Sequence, residues 1–229
     1  MIITIGLTGS IATGKSTASS FLKEMGCKVI DGDLVAREVA ETPEVREEIK
    51  NVFGEEFLDK QGKIRRKKLG SLVFSDQISL TKLNKIMHPA IQKEIAYRLE
   101  TFKNHCQKNH GIESEITKPL LDSKENPSDV KHTFSCIIVD GALLIEMGLH
   151  VLVDEVWVIS ISEDEQVRRL MKRDKVSRND ALKRIKSQMS TDEKKNFADV
   201  VLNNNRSPEY LQEQIQREIL RVKERHEKP

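Results

Sequence analysis

The chain predicts an α/β fold built on a five-stranded parallel sheet, and three observations carry that expectation. Short apolar runs alternate with helical patterns along most of the sequence. The runs are apolar without interruption, as in Cys136-Ile137-Ile138-Val139, which fits strands buried on both faces. The first run leads into Gly9-Ser10-Ile11-Ala12-Thr13-Gly14-Lys15-Ser16, a strand–loop–helix passage matching G-x-x-x-x-G-K-[ST].

The first strand is expected over residues 2–7 and the following helix over 16–24, with Gly26 as its C-cap. A second strand, 28–31, ends in Asp31-Gly32-Asp33. Residues 34–105 read as mostly helical, with Ala90, Ile91, Ile95 and Leu99 at helical spacing in the last helix. Pro89 suits the first turn of that helix and places His88 at its start. This block is too long for a simple crossover and predicts a helical subdomain. It leaves the carboxyl end of the second strand, the side on which such sheets bind ligands, and so suits a second substrate.

Residues 106–135 are polar, carry Pro119 and Pro127, and read as a loop insertion on the opposite pole. Strands are expected at 136–140, 155–160 and 200–202. Between the last two, residues 163–195 are helical and charged, with Arg168, Arg169, Arg173, Arg178 and Arg184. Two readings fit this stretch, a lid that closes over phosphates and excludes water and a solvated pair of charged helices. The core then comprises residues 1–33, 136–162 and 196–229.

Composition bounds the partners. The 229 residues suffice for one domain with appendages or two small ones. With 38 Lys and Arg against 36 Asp and Glu, the net charge of +2 gives no reason to invoke nucleic acid. Cys27, Cys106 and Cys136 have no metal-type spacing; Cys27 and Cys136, at or near expected strands, read as buried free thiols, and the odd number fits a reducing cytoplasm. No apolar run is long enough to span a membrane, and the N-terminus reads as a strand rather than a signal peptide. A monomer is expected, with oligomers left open.

The loop specifies a nucleoside triphosphate with magnesium. A triphosphate needs many donors within a short radius, and successive backbone N–H groups of Gly9, Ser10, Ile11, Ala12, Thr13 and Gly14 supply them, with the positive end of the helix dipole behind. Lys15 reaches the β- and γ-phosphates as a point charge, the Ser16 hydroxyl is a hard ligand for magnesium, and Thr17 adds a donor for the α-phosphate. Asp140, after four apolar residues, fits the carboxylate that orients the metal through water.

Asp31 and Asp33 stand at i and i+2, which in extended chain point the same way. One of them can accept the proton of an attacking hydroxyl or hold magnesium; equally, Asp33 can simply cap the next helix. The residues alone therefore reach phosphoryl transfer to a small molecule. A nucleotide-gated switch with slow hydrolysis is the rival from another class.

Taken together, these stretches closely resemble the dephospho-CoA kinase family over nearly the whole chain outside the insertion. The resemblance is carried by Ile5-Gly6-Leu7-Thr8-Gly9 with the loop, Val29-Ile30-Asp31-Gly32-Asp33 with Ala36-Arg37, Gly62 and Arg66, Leu69 and Phe74, His88-Pro89, Leu143-Leu144 with Glu146, and Arg173-Asp174 followed by Ala181, Ile185 and Gln188. It implies a P-loop kinase of three layers, α/β/α, with a helical substrate subdomain and a helical lid. It also implies transfer of the γ-phosphoryl of ATP to the ribose 3′-hydroxyl of dephospho-CoA.

By the same resemblance Asp33 is the base, and Lys15 and Arg173 stabilise the transferring group. Ser16 and Asp140 hold Mg2+. Thr8, Asp31, Asp33, Arg66, His88, Leu143 and Glu146 bind the acceptor, and Asn204 lies on the adenine side. The chain departs from the family at Ser10 and Ala12, where glycines are usual, at Ala142 in place of proline, and at Arg206 in place of glycine. A kinase for another small acceptor is the alternative.

Overall fold

A computed structural model describes residues 2–108 and 135–227. In chain order the first elements are β1 (Ile2–Thr8), α1 (Lys15–Glu24), β2 (Lys28–Asp31), α2 (Gly32–Val39), α3 (Pro43–Phe53), α4 (Arg66–Ser75) and α5 (Gln77–Lys108). After them come β3 (Ser135–Asp140), β4 (Glu155–Ser160), α6 (Glu163–Asp174), α7 (Arg178–Lys186), α8 (Thr191–Lys195), β5 (Val200–Asn203) and α9 (Pro208–Glu227). The fold is α/β, with a five-stranded parallel sheet in the order β2-β3-β1-β4-β5.

β1 runs between β3 and β4, with Ile2 opposite Ser135, Leu7 opposite Asp140 and Thr8 opposite Val158. From β1 the chain travels to β2 on one side of the sheet; from β3 it travels to β4 on the other. β1 and β3 therefore flank the topological switch point, where open α/β sheets place their ligands.

Alternation along β1 explains both of its faces. Ile3, Ile5 and Leu7 pack in one cluster with Ala18 and Leu22 of α1 and with Leu211, Ile215, Ile219 and Val222 of α9. Burial of each such side chain is worth about 1.5–3 kcal/mol. On the other face Gly6 leaves room for Leu144 and Val153, whose methyl carbons lie 3.0–3.1 Å from where a Cβ would stand. The first helix closes as expected: the Gly26 N–H donates to the Lys23 carbonyl and the Cys27 N–H to that of Leu22, both at 3.0 Å. Cys27 and Cys136 are buried free thiols, and Cys106 is half-buried.

The chain divides into two units, Met1–Ile30 with Leu99–Pro229, and Asp31–Arg98. The second unit is helical, with Val35, Val39, Val45, Ile49, Leu69, Ile91 and Ile95 buried. Here the structure corrects one expectation. Pro89 does not start a helix but lies inside α5. A proline there removes one backbone hydrogen bond at a cost of about 3 kcal/mol. Burial of Ile86 before it and of Ile91 and Ile95 after it keeps the helix continuous.

α5 also extends to Lys108, past the expected end at 105, and β3 starts at Ser135. Residues 109–134, most of the expected loop insertion, lie outside the described residues. Among the described residues no helix is long and apolar enough to cross a membrane.

Candidate active site

The loop between β1 and α1 is shaped by close backbone approaches. Gly14 has φ +93°, and a Cβ there would lie 2.1 Å from Asn204 Nδ2. That amide is buried and donates to the Thr13 carbonyl at 2.7 Å. Thr13 turns its hydroxyl inward to the Ser10 carbonyl at 2.9 Å. The Thr17 N–H donates to the Gly14 carbonyl at 3.0 Å as α1 begins.

Ser10 and Ala12 are accommodated in different ways. Ala12 adopts φ +63°, a left-handed conformation that costs a residue with a Cβ about 1–2 kcal/mol. The backbone just before it is held from both sides. The Ile11 N–H donates to Gln188 Oε1 at 2.8 Å, and the Ile11 carbonyl accepts from Gln166 Nε2 at 2.6 Å. Ser10 is buried, and its hydroxyl donates to the Met189 carbonyl at 3.0 Å.

Lys15 and Asp140 meet at the switch point. The Lys15 ammonium donates to Asp140 Oδ1, with only 18% and 12% of the two side chains exposed. Ser16 is exposed in the first turn of α1. A hydroxyl and a single carboxylate fit magnesium, which keeps most of its shell as water and phosphate oxygen. Among the described residues no group of three or more His, Cys, Asp and Glu is placed to hold a metal ion.

The Asp31–Asp33 segment differs from its sequence reading. β2 ends at Asp31, and Gly32 and Asp33 are already in α2, so the extended i, i+2 geometry does not apply. Asp31, not Asp33, caps this helix, accepting from the Leu34 N–H at 3.0 Å. Asp33 lies in the first turn, where the helix dipole favours a negative charge.

Elsewhere in the same unit Arg66 pairs with Glu41 at 2.8 Å and donates to the Arg37 carbonyl at 3.3 Å. His88 is half-buried within α5, and burial lowers its pKa from the ordinary value, favouring the neutral ring.

In the arginine-rich segment, Arg173 Nε donates to Asp174 Oδ1 and Arg184 to Asp174 Oδ2, each at 2.7 Å. Arg173 holds the Asp174 carboxyl below its usual range. Arg168 and Arg169 together lower Glu165 to about 2. Arg169 also donates to the Asn204 carbonyl at 2.9 Å. With Gln166 and Gln188, it ties the segment to the phosphate loop and its neighbour, so this is more than a solvated helix pair. Arg206 stacks over Tyr210 at 4.6 Å.

Thr8, Leu143 and Glu146 lie around the segment after β3. The Thr8 hydroxyl donates to the Ala142 carbonyl at 3.3 Å, and Leu143 is half-buried. Both carboxylate oxygens of Glu146 accept from Lys194 at 2.8 Å. Sequence reasoning missed Lys194 and Gln166, and found Arg169 only as one of the arginines of the charged stretch. Gln166 follows three acidic residues in a charged helix and Arg169 follows another arginine, and nothing in their spacing singles them out. Lys194 stands in the run Thr191-Asp192-Glu193-Lys194-Lys195, which reads as solvated.

A family model and curated relatives point to one family. A family model described as dephospho-CoA kinase matches residues 3–113 and 102–209. The chain is 40% identical over 216 residues to a dephospho-CoA kinase of Oceanobacillus iheyensis, covering 94% of this chain and 95% of that one. It is 39% identical over 213 residues to one of Carboxydothermus hydrogenoformans, covering 92% and 90%. Among solved structures it is similar to a dephospho-CoA kinase from Campylobacter jejuni, with TM-score 0.63 and 26% identity, covering 97% of this chain and 98% of that one.

Proposed function

Because the chain belongs to the dephospho-CoA kinase family, the ATP-dependent kinases of the last step of CoA synthesis, we propose that its phosphate loop holds MgATP and that Asp33 activates the acceptor. The reaction is in-line transfer of the γ-phosphoryl group to the ribose 3′-hydroxyl of dephospho-CoA, giving CoA and ADP. The observation that carries the nucleotide end is the meeting of Lys15 and Asp140 beside the loop.

The loop amides and the start of α1 cradle the phosphates. Lys15 and Arg173 offset charge on the transferring group. Ser16 and Asp140 would hold magnesium, which when bound neutralises charge on the β- and γ-phosphate oxygens. Asp33 receives the hydroxyl proton; its place in the first turn of α2, two residues past β2, supports the role. Positioning and electrostatics then supply most of the acceleration, since little covalent chemistry falls to the protein.

Thr8, Asp31, Arg66, His88, Leu143 and Glu146 are the proposed acceptor-binding residues, of which Arg66 and His88 belong to the proposed helical substrate region (34–105); residues 163–195 are the proposed lid. Asn204, already against the loop backbone, serves the nucleotide side. The odd number of cysteines supports a cytoplasmic setting, and the near-neutral charge gives no reason to invoke nucleic acid; a monomer is proposed, with oligomers left open.

The test is Asp33→Asn. Turnover with dephospho-CoA and ATP is expected to fall by roughly two to four decades, the usual weight of a general base. ATP binding should hardly change. Near-normal turnover in this variant removes Asp33 from the role.

A further inference from the structure

Lys194 is a fully buried ammonium that the reaction above does not use. Its Nζ donates to the Ala142 carbonyl at 2.9 Å and to both carboxylate oxygens of Glu146 at 2.8 Å, which occupies all three of its N–H donors. Burial disfavours the charged form, and Glu146 opposes that effect.

The contacts do not stop there. Glu146 Oε1 also accepts from the Met189 N–H at 3.3 Å. The Met189 carbonyl accepts the Ser10 hydroxyl at 3.0 Å, and Gln188 accepts the Ile11 N–H at 2.8 Å. On the other flank, the Ala142 carbonyl that Lys194 holds also accepts the Thr8 hydroxyl, one residue before the loop.

We propose that Lys194 is a positioning residue for the phosphate loop: it pins Glu146, Glu146 seats Met189, and the Gln188–Met189 pair fixes Ser10 and Ile11 in the shape that receives the phosphates. An ion pair this buried adds little to stability over well-packed apolar side chains, so stability alone is a weak reason for a lysine here. The arrangement also answers how a loop with Ser10 and Ala12 in place of glycines keeps its form: it is clasped from outside. The inference rests on the reading of this loop as the ATP site.

The test compares Michaelis constants for ATP and for dephospho-CoA in the full chain, in Lys194→Met, in Gln188→Ala and in the double variant, with folding followed by circular dichroism. Each single variant is expected to raise KM for ATP about tenfold; Gln188→Ala leaves KM for dephospho-CoA within about twofold, whereas Lys194→Met, which also frees the proposed acceptor-binding Glu146, raises both constants; for ATP the double variant stays near tenfold, since both changes break one chain of contacts. A purely structural lysine would lower stability and leave both constants alone.

Three results in folded protein overturn the proposal: an unchanged KM for ATP in Lys194→Met, a rise confined to KM for dephospho-CoA, or multiplication of the two effects in the double variant. Should Lys194→Met not fold, Gln188→Ala decides, because an unchanged KM for ATP there breaks the far end of the same chain. Failure of the unaltered chain to saturate with ATP would instead sink the reading of the loop.

Discussion

Two ion pairs of the first unit make opposite use of the same chemistry. Lys194 is wholly buried against Glu146, with its third donor on a backbone carbonyl. Arg173 pairs with Asp174 while 57% of its side chain stays exposed, and Arg184 shares the same carboxylate. Solvent screens the second pair, so its cation can exchange one anion for another at little cost. The first pair cannot be opened without stranding a buried charge. The difference suits the two proposed roles, Lys194 as the residue that keeps a shape and Arg173 as the cation that meets an incoming phosphate.

The most direct way to break this comparison is to remove both cations in turn and measure unfolding in denaturant. Lys194→Met leaves Glu146 unpaired and is expected to cost about 3–5 kcal/mol of stability. Arg173→Met should change stability by less than about 1 kcal/mol. Equal losses would erase the distinction.

Turnover sharpens it from the other side. Arg173→Met is expected to lower kcat by about a hundred- to a thousandfold, as for other single groups that stabilise transition-state charge. Retention of full kcat would return Arg173 to the solvated surface. The smallest effect belongs to the clasped loop itself. Ala12→Gly relieves the left-handed strain and should raise the thermal midpoint by about 2–4 °C, the shift that about 1 kcal/mol gives a chain of this size. A lower midpoint would mean that the clasp, rather than the residue, sets the energy at that position.

Much of the fold was legible because its strands are short apolar runs and its loop motif carries its own structural context. The start of β3 shifted by one residue and β5 gained one, which changes nothing at the site. What misled was local. Pro89 carries a strong helix-start signal, yet the burial of Ile86, Ile91 and Ile95 overrides it. Asp31-Gly32-Asp33 reads as extended chain, but the Asp31 side chain takes the Leu34 N–H and turns the backbone into a helix two residues early. Lys194 could not be found at all: one lysine among charged neighbours reveals its burial only when Glu146 and Ala142, some fifty residues upstream, come to surround it.

The sheet order has a bearing on how the chain is made. Ile2 pairs with Ser135 and Ile5 with Glu155, so the strand that carries the phosphate loop is finished long before its neighbours exist. At roughly 5–20 residues per second it waits on the order of ten seconds on the ribosome with both edges unpaired. The helical unit Asp31–Arg98 is continuous in sequence and emerges whole within that interval. It can gather its own core while both edges of the first strand still wait for β3 and β4.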